Sequence, residues 1–243
     1  MIGRFLEISI EAPDILASIE FYRGLGMLPA TTGEIWSHRY GVLSDGNLVV
    51  GLHDYSFPSP SLTYVRPELS KNLADLKAQA GSLAFAKTAD DEFNEAGFTD
   101  PDGHMVTVLE ARTFSPLEID RSDITILGHF SEYGLPVKNL DVSIAFWENL
   151  GFVMTERSDG ALPFASLTGD FINLGLYVNP RMRAPALVFR ETDMAERIEY
   201  ISAQGYQVSP GTPVSVGHLS GAALQAPEGT WIYLLPETDA QDT

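Results

Sequence analysis

Two carboxylates, Glu7 and Glu132, are the side chains of this sequence best suited to chemistry. From Phe5 to Ala12 the residues alternate as a β-strand does, with Leu6, Ile8, Ile10 and Ala12 on one face and Phe5, Glu7, Ser9 and Glu11 on the other. Glu132 has the same place in the stretch from Phe130 to Val137. If the two meet in a partly dry space, they must share a proton or hold a cation, because desolvating facing carboxylates without compensation is costly. Such oxygen ligands suit magnesium, manganese or calcium better than zinc or copper. Two other readings compete: a metal-free acid–base pair, and ordinary strand glutamates that are solvated or paired with arginine. His53, with Tyr177 at the corresponding place, is the next candidate, although a lone histidine is more often structural than catalytic. His38, His104, His129 and His218 form no ligand pair at metal spacing.

These places correspond because the chain repeats itself. The run Ser18-Ile19-Glu20-Phe21-Tyr22-Arg23-Gly24-Leu25-Gly26 matches Ser143-Ile144-Ala145-Phe146-Trp147-Glu148-Asn149-Leu150-Gly151 in five of nine positions, at an offset of 143 − 18 = 125. Gly51-Leu52-His53 then matches Gly175-Leu176-Tyr177, Arg66 matches Arg190, and Asp100-Pro101-Asp102-Gly103 matches Ala226-Pro227-Glu228-Gly229, in the same order. The chain therefore divides into a module at 1–112, a linker at 113–124, a second module at 125–236 and a tail at 237–243. In the first module a strand leads through Pro13-Asp14 into a helix that carries Ile15, Ile19, Phe21 and Tyr22 and stops at Gly26. Short strand-like runs, a helical stretch ending near Gly81 and a last strand at Met105 to Leu109 follow. The second module ends correspondingly at Trp231 to Leu235. Each reads as a βαβββ unit.

The run Asp14-Ile15-Leu16-Ala17-Ser18 with Phe21-Tyr22 and Leu25-Gly26, closed by Phe98-Thr99-Asp100-Pro101-Asp102-Gly103, resembles the vicinal oxygen chelate superfamily of glyoxalases, bleomycin-resistance proteins and extradiol dioxygenases. The second copy carries Ser143, Phe146-Trp147, Leu150-Gly151 and Pro227-Glu228-Gly229. The resemblance implies an α+β fold of two tandem βαβββ modules whose mixed sheets curl into a cup. It also implies a divalent metal held by first and last strands. The first-strand ligand places fall on Glu7 and Glu132. The last-strand places, four residues after Gly103 and Gly229, fall on Thr107 and Tyr233, where the family's usual glutamates are missing. At most half of the metal set is present, so the implied cofactor is one divalent ion (Mn, Mg, Fe, Ni or Zn) on Glu7 and Glu132, or none.

Alternation from Thr107 and Tyr233 turns Met105, Leu109, Trp231 and Leu235 toward the same cup, joined by Phe5 and Phe130. An aromatic and aliphatic pocket with few polar groups is the usual form of a small-molecule site. Its expected ligand-binding residues are Phe5, Met105, Thr107, Phe130, Trp231, His53 and Tyr177. Its expected catalytic residues are Glu7, Glu132 and Tyr233, the last as a proton donor if its surroundings lower its pKa. The opposing reading is that these side chains simply fill the cup as core. The Pro-containing segment Asp54 to Ser61 is an extended loop, either a lid on the cup or ordinary surface.

Composition narrows the partners. The 243 residues carry 15 Lys and Arg against 33 Asp and Glu, a net charge of −18, which repels nucleic acid and anionic membrane. With no Cys, disulfides, thiolate nucleophiles and zinc thiolate sites are absent, consistent with the cytoplasm. No apolar run approaches the roughly 18 residues of a membrane span, and no dinucleotide fingerprint, phosphate loop, nucleophile elbow or HExxH motif occurs. Three functions stay open. One is a metal-assisted lyase, isomerase or dioxygenase, though not standard glutathione-dependent glyoxalase I, since an acidic chain disfavours an anionic thiol peptide. Another is a metal-free protein of the bleomycin-resistance type that sequesters a hydrophobic or cationic compound. The third is a structural unit. The expected assembly is a monomer or homodimer.

Overall fold

A computed structural model describes residues 2–30, 38–89, 93–111, 125–214 and 221–237. The expected linker, Trp36, His218 and the tail beyond 237 lie outside them. The first half runs β1 (Arg4–Glu11), α1 (Ile15–Gly24), β2 (Leu28–Ala30), β3 (Tyr40–Ser44), β4 (Val49–His53), β5 (Ser61–Arg66), α2 (Leu73–Ala80), β6 (Phe85–Lys87), β7 (Glu95–Thr99) and β8 (Met105–Glu110). The second runs β9 (His129–Pro136), α3 (Leu140–Asn149), β10 (Val153–Ser158), β11 (Phe164–Thr168), β12 (Asn173–Tyr177), β13 (Ala186–Glu191), α4 (Met194–Ala203), β14 (Ser209–Pro210), β15 (Ala222–Gln225) and β16 (Trp231–Pro236). Each half builds one mixed eight-stranded sheet, ordered β2-β3-β4-β1-β5-β8-β7-β6 and β10-β11-β12-β9-β13-β16-β15-β14.

The two-module α+β architecture stands, and each module is itself doubled. In the first half β1 to β4 with α1 make one βαβββ unit and β5 to β8 with α2 make another, joined where β1 pairs antiparallel with β5. Helix boundaries follow local chemistry. Asp14 caps α1 by accepting from the Ala17 N–H at 3.2 Å, and Asn139 caps α3 by accepting from Val142 at the same distance. Gly26 and Gly151 follow the helix ends at φ of 97° and 105°, where a side chain would be strained.

Strand alternation sorts each sheet into two faces. Ile8, Ile10, Leu52, Leu62 and Val106 join Ile15 and Tyr22 of α1 in one core, which continues through Leu187, Phe189, Ile232 and Trp147 of the second half. The faces turned away from that core are the cup faces. They differ between halves, as described below.

A one-residue slip corrects two expectations. On β1, Phe5 pairs with Tyr64 and Glu7 with Thr63, so Leu6 is an extra residue and the register shifts. Upstream of such a bulge every side chain changes face. Phe5 therefore lies in the core against Tyr64 at 5.6 Å, not in the cup. The same irregularity in β9 packs Phe130 on Phe189 at 5.7 Å, away from the second cup.

The halves are clasped reciprocally. Glu228, on the turn before β16, accepts from Ser18 Oγ and Tyr22 Oη of α1, each at 2.7 Å. Asp102, on the turn before β8, accepts from Ser143 Oγ of α3 at 3.1 Å. The repeated turn motif thus joins each half to the other's helix. Among the described residues no helix is long and apolar enough to cross a membrane.

Candidate functional site

Glu7 and Glu132 do not form one cluster. They occupy separate sheets with separate partners, and each stands where the register across three strands puts a row of cup residues. In the first half that row is Glu7, Thr63 and Thr107; in the second it is Glu132, Val188 and Tyr233.

The first cup is polar. Glu7 is 1% exposed, and both of its carboxylate oxygens are engaged. Its Oε1 accepts from Ser9 Oγ at 2.7 Å and lies 2.9 Å from His53 Nε2, while Oε2 accepts from Tyr40 Oη at 3.0 Å. His53 Nδ1 is in turn 3.0 Å from His38 Nε2, so Glu7, His53 and His38 form a chain running from the buried strand toward the surface. With Glu7 ionised, the proton of His53 sits on Nε2, and Nδ1 accepts from His38. A carboxylate that orients one imidazole, which contacts a second, is an arrangement for taking up and delivering a proton. Burial, and next the neighbouring His53, lower the His38 pKa, opposed by Asp54. The neutral base is thereby favoured at the outer end. Hydroxyls extend the polar surface: Ser9 with Thr63 at 2.7 Å and Ser61 with Thr107 at 2.9 Å.

Backbone space makes this burial possible. A Cβ on Gly51 would stand closer than 3.0 Å to all three terminal atoms of the Glu7 carboxylate, and a Cβ on Gly175 would crowd Glu132 in the same way. Glycine recurs in Gly51-Leu52-His53 and Gly175-Leu176-Tyr177 because a carboxylate lies against the strand in both halves.

The loop between β4 and β5 covers this chain of groups. Tyr55 stacks on His38 at 5.2 Å and 22°, and Phe57 meets His53 edge-on at 5.5 Å. Tyr55 itself is 57% exposed, so an aromatic surface marks the approach.

The second cup is packed. Tyr177, Met182, Ala186, Val188, Val214, Ala223, Tyr233 and Leu235 form a core of their own, with Phe164 and Trp231 against it. The Tyr177 hydroxyl donates to Glu132, Ser166 Oγ donates to its Oε2 at 3.2 Å, and Arg190 Nη2 lies 4.0 Å from Oε1. Burial pushes Tyr233 up to about 12. The expected lowering is reversed, and the group stays a neutral phenol at pH 7. Trp231, Tyr233 and Tyr177 thus belong to the reading in which side chains fill the cup.

Met105, 9% exposed, shares the first cup face with Thr107. Of the remaining histidines, His104 is tied to Asp100 at 2.8 Å and His129 to Glu191 at 2.7 Å. Sequence reasoning missed Tyr40, Ser9 and Thr63 as neighbours of Glu7 and set His38 aside for want of a partner, which the structure supplies in His53. Ser9 was legible two residues beyond Glu7 on the same strand face, whereas Tyr40 reaches Glu7, and His38 just before β3 reaches His53, only through the pairing of β3 with β4.

These donors do not fit a divalent ion. Thr63 and Thr107 stand beside Glu7, Val188 and a high-pKa phenol stand beside Glu132, and both oxygens of Glu7 are already engaged. Among the described residues no three His, Cys, Asp or Glu side chains are grouped so as to hold a metal ion.

No family model matches the chain, and no curated protein matches it. Solved structures do. Catechol 2,3-dioxygenase is similar over 98% of this chain and 90% of its own at 13% identity, with a TM-score of 0.58. An extradiol ring-cleaving dioxygenase from B. fuscum is similar over 99% of this chain and 74% of its own at 15% identity, with a TM-score of 0.63. A Mn(II)-bound glyoxalase from Novosphingobium aromaticivorans is similar over 98% and 83% at 16% identity, with a TM-score of 0.58. The chain therefore has the two-module α+β fold that these dioxygenase and glyoxalase structures share.

Proposed function

We propose that this chain binds a small organic molecule in the cup of its first half and moves a proton there through Glu7, His53 and His38, without a resident metal. The observation that carries the reading is the hydrogen-bonded chain from the buried Glu7 Oε1 through both nitrogens of His53 to the part-exposed His38. Among the described residues of the second half no such chain occurs, because Tyr177 replaces the histidine and apolar side chains fill the space. A net charge of −18 favours a neutral or cationic ligand over an anionic one. Sequestration of such a ligand and metal-independent proton transfer on it share this site, and turnover distinguishes them. The location we assign is the cytoplasm, as a monomer or homodimer.

The alternative is a metal-assisted lyase, isomerase or dioxygenase, favoured by the fold shared with a Mn(II)-bound glyoxalase. The test is metal content by plasma mass spectrometry after soaking with Mn, Fe, Ni, Zn and Mg and desalting, followed by a thermal-shift screen of neutral and cationic aromatic compounds. Our reading expects well under one retained equivalent, and hits whose shift is lost in Glu7→Gln and His53→Gln. About one equivalent of metal that disappears in Glu7→Gln would transfer the site to the metal-assisted reading.

A further inference from the structure

We infer that the junction between the halves holds a second binding site, for a small apolar molecule with a protonated amine at one end. The site is a cavity of about 190 Å³. Its walls come in pairs related by the repeat: Ile8 opposite Tyr133, and Ser59-Pro60 opposite Ala184-Pro185, both at an offset of 125 (133 − 8 and 184 − 59). It lies on the core side of the sheets, since Ile8 occupies the face opposite Glu7, so it is separate from the first cup.

The pairing is broken on one side. Glu228-Gly229-Thr230 closes the cavity, while the matching turn at Asp102 lines no part of it. The space is therefore a chamber of mixed lining, with Ile8, Ile10, Pro60 and Pro185 beside Ser59, Thr230 and the carboxylate-bearing Glu228. Each oxygen of that carboxylate accepts one protein hydrogen bond, from Ser18 or Tyr22, and keeps a second lone pair. An ammonium group satisfies it, a carboxylate ligand is repelled, and the Tyr133 ring supplies an aromatic neighbour of the kind that favours cations. A dry cavity of about 150 Å³ accommodates benzene, so this chamber suits a ring with a one- or two-atom arm. Ser59 and Gly229 are exposed and leave a way in.

Isothermal titration with benzylamine, toluene and benzoate tests the assignment, with a thermal-shift series as a second readout. One benzylamine per chain is expected, with benzoate at least about tenfold weaker, a difference of about 1.4 kcal/mol. Ala184→Phe, which fills the chamber from its half-buried rim, should abolish benzylamine binding. Glu228→Gln should weaken benzylamine about tenfold and leave toluene unchanged. Absence of benzylamine binding, equal affinity for benzoate, or binding that survives Ala184→Phe overturns the inference. Loss in Glu7→Gln together with retention in Ala184→Phe also overturns it, by moving the ligand to the first cup. Should Glu228→Gln fail to fold, the comparison of amine with acid on the unaltered chain decides the role of the carboxylate.

Discussion

Adding one methyl group at Gly51 should displace the buried carboxylate of the first cup. The new Cβ would lie closer than 3.0 Å to Glu7 Cδ and both oxygens, so either β4 moves or the carboxylate withdraws. β4 is fixed on both sides, by β3 and β1, so withdrawal is expected. Glu7 then gives up the hydrogen bonds from Ser9, Tyr40 and His53. A buried donor left unsatisfied costs about 1 to 3 kcal/mol, and partial rescue of the three sets the expected loss for Gly51→Ala at about 2 to 4 kcal/mol. A urea titration measures it. The cause is checked by a double-mutant cycle: in a Glu7→Ala background the methyl has nothing to strike, so the coupling energy should exceed about 1 kcal/mol. Gly175→Ala is the matched control, expected to cost stability through Glu132 while leaving the NMR signals of His53 and His38 in place. A Gly51→Ala loss within about 0.5 kcal/mol, the range of ordinary surface changes, or strict additivity with Glu7→Ala, would refute the packing argument.

Other outcomes follow from the same geometry. The lowered pKa of His38 means that below about 6.5 the unfolded chain binds more protons than the folded one, so acidification from pH 7 toward 5 should reduce stability. Unfolding midpoints of the wild type and His38→Asn should converge as pH falls, and parallel curves would count against the assignment. Tyr22→Phe removes one donor to Glu228 and should cost about 1 to 2 kcal/mol in a denaturant titration; no loss would mean that the clasp is not holding the halves. Trp231→Ala should cost about 2 to 3 kcal/mol, less than a fully buried tryptophan, because Trp231 is only half-buried against the second cup. A cost near zero would show that cup to be open.

The tandem architecture was legible because the helix and turn motifs recur in order, and the helix limits followed from Asp14, Gly26 and Gly151. The doubling within each half was hidden, since β5 to β8 share no recognisable run with β1 to β4 and β6 is only three residues long. Glu7 was found by alternation and is buried, but apart from Ser9 on its own strand its partners come from β3 and β4, and pairing between strands is invisible to a one-dimensional pattern. Phe5 and Phe130 were misplaced for a related reason: a bulge inverts alternation without leaving a mark in residue type. Thr107 and Tyr233 were found at equivalent register positions, yet one half kept a polar cup and the other filled it. That difference depends on His53 against Tyr177, and on Met182 and Val214 entering from outside the strands.

The crossed clasps bear on how such a chain assembles. Each half carries both a helix that donates, with Ser18 or Ser143, and a turn that accepts, with Asp102 or Glu228, so the contact is isologous in pattern although a single chain makes it. The covalent connection raises the local concentration of one half around the other without dictating how they meet. Two separately expressed halves therefore contain the information to find each other, and a half-length chain paired with its own copy has the same complementary parts.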